Sequence, residues 1–208
     1  MFDDAFRQEL EMLFVWRRDV RRFRTDPLPE NLLDSLLDQA CLAPSVGNSQ
    51  PWRFVTVDEP TRRSDIRADF LACNQSALDD FEGERAKLYA SFKLAGLDDA
   101  PVQLAVFVDK ATQSGHGVGQ KTMPEMLSYS VVTAVHTLWL AARAHGVGLG
   151  WVSILNPEKI TTILETPPEW SLIAYLCLGY PQEEHEEPEL ERHGWQGRDS
   201  AAREILKR

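Results

Sequence analysis

Residues 17–23 read Arg17-Arg18-Asp19-Val20-Arg21-Arg22-Phe23, and the reading of this stretch governs that of the whole chain. Four guanidiniums fall within six positions of a chain whose formal net charge is -10. Solubility gives an acidic protein no reason to cluster arginine. The planar fork of arginine donates two parallel hydrogen bonds and so matches a phosphate. The stretch directly follows Phe6, Leu10, Leu13 and Phe14, whose i, i+4, i+7, i+8 spacing marks one helix face, with Asp3 and Asp4 suited to its start. It therefore belongs to a helix end and the turn beyond, where a phosphate can be held without burying a bare charge. Two readings stand side by side, a solvated basic turn and an anion site. Asp19 divides in the same way. It either neutralises its neighbours or is a functional carboxylate aimed at a ligand whose phosphate the arginines hold.

Beyond the stretch, Pro29-Glu30 opens a second helix with Leu33, Leu36, Leu37 and Ala40 on one face. Residues 43–54, Ala-Pro-Ser-Val-Gly-Asn-Ser-Gln-Pro-Trp-Arg-Phe, form a polar loop that runs into a strand at 52–57. Residues 60–98 are helical but poorly amphipathic, with Phe70, Phe81, Tyr89, Phe92 and Leu94 scattered among charges. They are expected to be a helical insertion that covers something. A strand follows at 102–108, then a loop at 112–122 with Gly115, Gly117 and Gly119. Residues 124–145 make the longest helix, with Leu127, Val131, Val135, Leu138 and Ala142 on its face and further apolar residues off it. It is expected to be buried on several sides, as the central helix of the fold or of a dimer, and to stop at Gly146. Strands at 149–154 and 171–178 flank a short helix capped by Asn156 with Pro157 at its first position. The tail at 181–198 carries six glutamates and then Gly194-Trp-Gln-Gly-Arg198. It is too polar to pack alone and is expected to wrap another surface. Helices mixed with four strands and one dominant core helix place the chain in the α+β class.

The 208 residues are read as a single domain with ample core volume. An acidic balance argues against nucleic acid and against an anionic membrane surface as partners. No apolar run reaches the length that spans a bilayer, and the acidic start is not that of a signal peptide. Cys41, Cys73 and Cys177 have neither CxxC nor zinc spacing and are read as reduced thiols of a cytoplasmic protein. The five histidines show no metal-ligand spacing, so no metal is expected. No nucleophile elbow, HExxH or P-loop occurs, and the glycines at 115–119 lack a dinucleotide-binding context. The arginine stretch, the 44–52 loop and Gly150-Trp-Val-Ser153 remain as carriers of chemistry.

Together these residues resemble the FMN-dependent nitroreductase-like family over nearly the whole chain, with its early Arg-x-Ser/Asp-x-Arg/Lys segment and its Pro-Ser-x-x-Asn-x-Gln-Pro-Trp loop. Within that family, Asp19, Ser153, the 70–98 insertion, Gly-Trp-Val-Ser-Ile-Leu and Gly-Trp-Gln-Gly-Arg are similar to the 5,6-dimethylbenzimidazole synthase branch. The resemblance implies a central mixed sheet flanked by helices around a long core helix. It also implies a homodimer with shared FMN sites, a C-terminal arm exchanged between subunits and a lid at about 70–98. On that reading Arg17, Arg18 and Arg21, with Arg198 from the tail, hold the phosphate and ribityl chain beside Asp19 and Val20. Pro44, Ser45, Gly47 and Asn48 reach the ring from the other subunit. Trp151, Val152 and Ser153 line the site, and Ser91 and Lys93 touch the flavin from the lid. The implied reaction is fragmentation of reduced FMN by dioxygen to 5,6-dimethylbenzimidazole, the lower ligand of vitamin B12, and erythrose 4-phosphate. A flavin reductase supplies the substrate. The alternative is an NAD(P)H-dependent FMN nitroreductase, in which the flavin persists. Asp19 is expected to stay ionised among its arginines, as a base for the ribityl carbon attached to the ring. Ser153 is expected to hydrogen-bond the reactive ring nitrogen. The plain alternatives are a charge-balancing aspartate and a strand-end serine satisfied by backbone.

Overall fold

A computed structural model describes residues 2–79, 81–91 and 96–208. Helix α1 (Asp4–Trp16) begins where the Asp3 carboxylate accepts the Phe6 N–H at 2.9 Å. Helix α2 (Leu32–Ala40) starts two residues after the expected Pro29-Glu30, behind a turn in which Asn31 takes φ 65°. Then come β1 (Trp52–Thr56), α3 (Pro60–Leu78), α4 (Gly83–Ser91), α5 (Gly96–Asp99) and β2 (Val102–Asp109). They are followed by α6 (Met126–Ala144), β3 (Gly148–Val152), α7 (Pro157–Ile163), β4 (Trp170–Gly179) and α8 (Glu189–Arg192). The Asn156 side chain caps α7 by accepting the Glu158 and Lys159 N–H groups at 3.0 and 3.1 Å.

The four strands form one sheet in the order β1-β2-β4-β3, and every pairing is antiparallel. The mixed character expected of the sheet is confined to one parallel bridge, Asp19 with Leu149. Side chains alternate along the inner strands. Leu104, Val106, Val108, Leu176 and Leu178 bury against α2 and α6 on one face. Ala105, Phe107, Tyr175 and Cys177 bury against α3, α5 and α7 on the other, with Phe23. Burial of both faces explains why these strands read as nearly continuous apolar runs.

The stretch 17–23 leaves α1 extended and runs along the free edge of β3. The Val20 N–H donates to the Leu149 carbonyl at 3.0 Å, and Phe23 bridges Pro181. This closes an edge that would otherwise present unpaired backbone groups. The close approach is possible because β3 begins Gly-Leu-Gly. A Cβ on Gly148 would lie 2.8 Å from Val20 Cγ2, and one on Gly150 would collide with the Val20 carbonyl oxygen.

The tail does not project outward along its described length. The Gln182 N–H donates to the Arg22 carbonyl at 3.1 Å and its side chain to the Phe23 carbonyl at 2.8 Å. Trp195 then packs edge-on against Phe81, centroids 5.4 Å apart, and beside Tyr89. Among the described residues no helix is long and apolar enough to cross a membrane.

Candidate active site

The arginines of the edge segment diverge in what they touch. The Arg17 guanidinium lies 5.0 Å from the centre of the Trp139 ring on α6 and has no ion pair among the described residues. The Trp139 indole N–H donates to the Arg18 carbonyl at 3.0 Å, so one tryptophan fixes both the backbone and the first arginine. Arg18 spends its donors on carbonyls of Val15, Arg17 and Glu186. It braces the segment and the tail rather than reaching outward. Burial lowers the pKa of Arg17 and Arg18, and the nearby Arg198 guanidinium lowers both further. Positive groups brought together under partial burial form a donor set that an anion would complete.

Asp19 stands at the centre. Its Oδ1 accepts the Trp151 N–H at 2.9 Å, and its Oδ2 lies 3.6 Å from Arg21 Nε. Its side chain keeps 38% of its surface exposed. The arginines were expected to be the main influence on Asp19, and they are not. Burial is the larger influence and raises its pKa, while the Trp151 N–H and Arg21 pull it down by less. Arg21 is the guanidinium paired with Asp19, its Nε 3.6 Å from Oδ2, and Arg17 acts on it from farther off. Ser153 follows the last residue of β3. It is exposed, and its hydroxyl has no hydrogen bond among the described residues. Asp19 is thus tied to the same strand end that presents Trp151, Val152 and Ser153.

Two further acids complete this wall. Glu189, from α8, places Oε2 3.9 Å from Arg21 Nε and Oε1 3.3 Å from Arg22 Nη1. Glu183 hydrogen-bonds Arg22, and this bond first, with His185 second, holds its carboxyl down at about 2. Neither acid was singled out in the sequence, nor was Trp139. The signal was present as charge complementarity between four early arginines and six late glutamates.

The 44–50 loop is built on the far side of α6. Thr133 donates its hydroxyl to the Pro44 carbonyl at 2.9 Å, and Ser130 accepts the Val46 N–H at 3.0 Å. Ser45 accepts the Gln50 N–H at 3.0 Å. Gly47 and Asn48 take φ 58° and 54°, and a Cβ on Gly47 would meet the Gly115 carbonyl oxygen at 2.9 Å. The glycine-rich 112–122 loop therefore packs on this loop. Ser130 and Trp139 are nine positions apart, about two and a half helical turns, which sets them on opposite faces of α6. Within one chain the arginine segment and the loop are thus held apart.

The rings of the insertion have neighbours of their own. Phe81 stacks on Tyr89 at 4.9 Å, and both meet Trp195 from the tail. Lys93, Phe92 and Leu94 lie outside the described residues, and Ser91 enters only as the last position of α4. Among the described residues no group of three or more His, Cys, Asp or Glu is placed to hold a metal ion.

A family model described as the nitroreductase family matches residues 14–180. A 5,6-dimethylbenzimidazole synthase of Rhodospirillum rubrum is 59% identical over 198 residues, covering 95% of this chain and 94% of that protein. One from Rhodobacter capsulatus is 46% identical over 195 residues, covering 94% of each. Among solved structures, an iodotyrosine deiodinase bound to FMN and 3-iodo-L-tyrosine superposes with a TM-score of 0.74 at 26% identity, covering 96% of this chain and 97% of that one.

Proposed function

The chain belongs to the nitroreductase family, and on that premise we propose that it fragments reduced FMN with dioxygen to 5,6-dimethylbenzimidazole and erythrose 4-phosphate. The observation that carries this is the 59% identity to a 5,6-dimethylbenzimidazole synthase along 95% of the chain. The alternative, an NAD(P)H-dependent nitroreductase that keeps its flavin, has no comparable support.

The residues present fit a flavin phosphate. Arg17 stacks on Trp139 with no carboxylate partner among the described residues, and Arg198 adds charge beside it. Arg17, Arg21 and Arg198 hold the phosphate, and Arg18 positions the segment that carries them. Val20, packed against Gly148, keeps the segment flush with β3. Bound reduced FMN supplies both the electrons and the carbon skeleton of the product. Asp19 removes a proton from the ribityl carbon attached to the ring. The Trp151 N–H fixes one of its oxygens, so the other is left for the proton. The upward push of burial on its pKa makes it a better base than a fully solvated aspartate. Ser153 offers its exposed hydroxyl to the reactive edge of the ring, with the Trp151 and Val152 backbone beside it.

The Pro44, Ser45, Gly47 and Asn48 loop serves the site of a second subunit. That assignment is supported by its place across α6 from the arginines and by exposed Tyr129 and Val132 on that helix. The insertion at about 70–98, with Ser91 and Lys93, forms a lid that excludes water during the oxygen step. One domain spans 1–208. A separate flavin reductase delivers the substrate in the cytoplasm, where three thiols outside disulfides stay reduced.

The test is incubation with reduced FMN in air. Mass spectrometry is expected to find 5,6-dimethylbenzimidazole and erythrose 4-phosphate in step with flavin loss. Intact FMN with stoichiometric hydrogen peroxide overturns the reading.

A further inference from the structure

Among the described residues Asp69 is the only charged one buried in the core, 4% exposed. It lies on α3, the first helix of the insertion. A carboxylate is costly in such a place and persists only with its oxygens engaged. Its Oδ2 accepts the Asn156 N–H at 2.8 Å, and the Cys73 thiol lies 3.8 Å from the same oxygen. Its Oδ1 lies 3.2 Å from the Lys159 ammonium. We propose that Asp69 is a positioning residue that sets where Ser153 meets the flavin. This rests on the role given to Ser153 above.

The physical reason is the shortness of one connection. Strand β3 ends at Val152, paired with Tyr175 of β4, and Asn156 caps α7. Only residues 153–155 lie between. Ile154 and Leu155 pack onto the core cluster that holds Ile66 and Phe70 of α3 and Ile160 of α7. Ser153 is left exposed. Strand pairing holds the near end of this span. The far end is held by one side chain, because the Asn156 N–H donates to Asp69. Three residues leave little slack, so a shift at Asn156 is passed to Ser153. A leucine at position 69 would suit the neighbouring Ile66 and Phe70, but it would strand the Asn156 N–H. The Lys159 side chain is 62% exposed, so its ammonium balances the buried charge from the solvent side. The helix that opens the proposed lid thus also fixes the serine at the strand end.

Asp69→Leu fills the space and removes the acceptor, whereas Asp69→Asn keeps an oxygen for the Asn156 N–H. The first readout needs no flavin. Amide hydrogen exchange at Asn156 is expected to quicken in Asp69→Leu, with the β3 amides unmoved, and to stay near the wild-type rate in Asp69→Asn. Unchanged exchange at Asn156 in Asp69→Leu overturns the proposal. The second readout is the partition of saturating reduced FMN, in air, between benzimidazole and hydrogen peroxide. Asp69→Leu is expected to lose benzimidazole to peroxide by up to about a hundredfold, the scale set by a displacement of about 1 Å at a reacting group. Asp69→Asn is expected to recover most of that loss. In a Ser153→Ala background, Asp69→Leu should take nothing more away. A further loss there, or a lower Tm with the wild-type partition, assigns Asp69 to core structure alone and overturns the proposal, as does a wild-type yield from Ser153→Ala. Should Asp69→Leu not fold, Asp69→Ser, too short to reach Asn156, takes its place in every arm. A wild-type protein that makes no benzimidazole defeats the proposed function instead, and the exchange at Asn156 still decides whether Asp69 holds the connection.

Discussion

Gly150 lies so close to Val20 that any side-chain carbon on the glycine would collide with the Val20 carbonyl oxygen. The neighbour is backbone, which cannot swing aside. Gly150→Ala is therefore expected to lift the arginine segment off β3, break the Val20 to Leu149 hydrogen bond and loosen the Asp19 to Trp151 contact. Loss of FMN binding with the core intact by circular dichroism is the expected result. Wild-type affinity would show that the segment does not need this approach.

Arg17 should matter more for binding than Arg18. Removing one charge-assisted contact costs about 1.5–3 kcal/mol, or about one to two decades in affinity. Arg17→Ala is expected to lose that much for FMN and little for riboflavin, which has no phosphate. Arg18→Ala should lower thermal stability as well, since its donors hold Val15, Arg17 and Glu186. Fluorescence titration with both flavins separates the two, and equal affinity of the wild type for FMN and riboflavin removes phosphate from the account.

Placement of the 44–50 loop across α6 from the arginines predicts complementation. An Arg17→Ala subunit mixed with an Asn48→Ala subunit should regain one working site per heterodimer. Mixtures with no more turnover than either parent would put both elements in the same subunit's site.

Asp19→Asn should bind FMN but return oxidised FMN and hydrogen peroxide, with little benzimidazole. Its stability follows from the pKa direction. A carboxyl whose folded pKa is raised favours the folded state below the ordinary aspartate value and loses that contribution as pH rises through the folded value. The contribution therefore shrinks as pH rises, and Asp19→Asn should lower the Tm less at neutral than at acid pH. Ser153→Ala is expected to lose product in the same way at unchanged Tm. A wild-type product yield in either variant removes that residue from the mechanism.

Acid should loosen the tail before it unfolds the core. Glu183 has a depressed carboxyl, so its contribution is complete above the ordinary value of 4.5 and disappears as pH falls through about 2. Trp195 fluorescence should change over that window, while the far-ultraviolet signal of the sheet persists. A single coincident transition would mean that tail and core are one cooperative unit.

The strands and the long helix were legible because their patterns are local. Leu104, Val106 and Val108 alternate with Ala105 and Phe107, and β2 and β4 extend at most one residue beyond their expected ends. The Asn156 cap and the Gly146 stop needed only their neighbours. The arginine segment stood out as a candidate anion site, but its division of labour did not. Whether Arg18 braces or binds depends on Glu186, 168 positions away. Trp139 lay in an apolar helix and was absorbed by the face pattern, which gives no sign of a cation over its ring. Glu189 and Trp195 sit in a stretch whose composition suggests a solvated tail, and only tertiary pairing gives them partners. The basicity of Asp19 was misjudged because the sequence shows the arginines beside it but not the burial that outweighs them.

The pairing of residues 17–22 with residues 183–195 also bears on the order in which the fold closes. Arg22 and Glu183 hydrogen-bond across 161 positions of chain. A contact that closes so long a loop is favoured only after nearer pairings have shortened it. The wall beside Asp19 is therefore expected to be among the last parts of the fold to close and among the first to open.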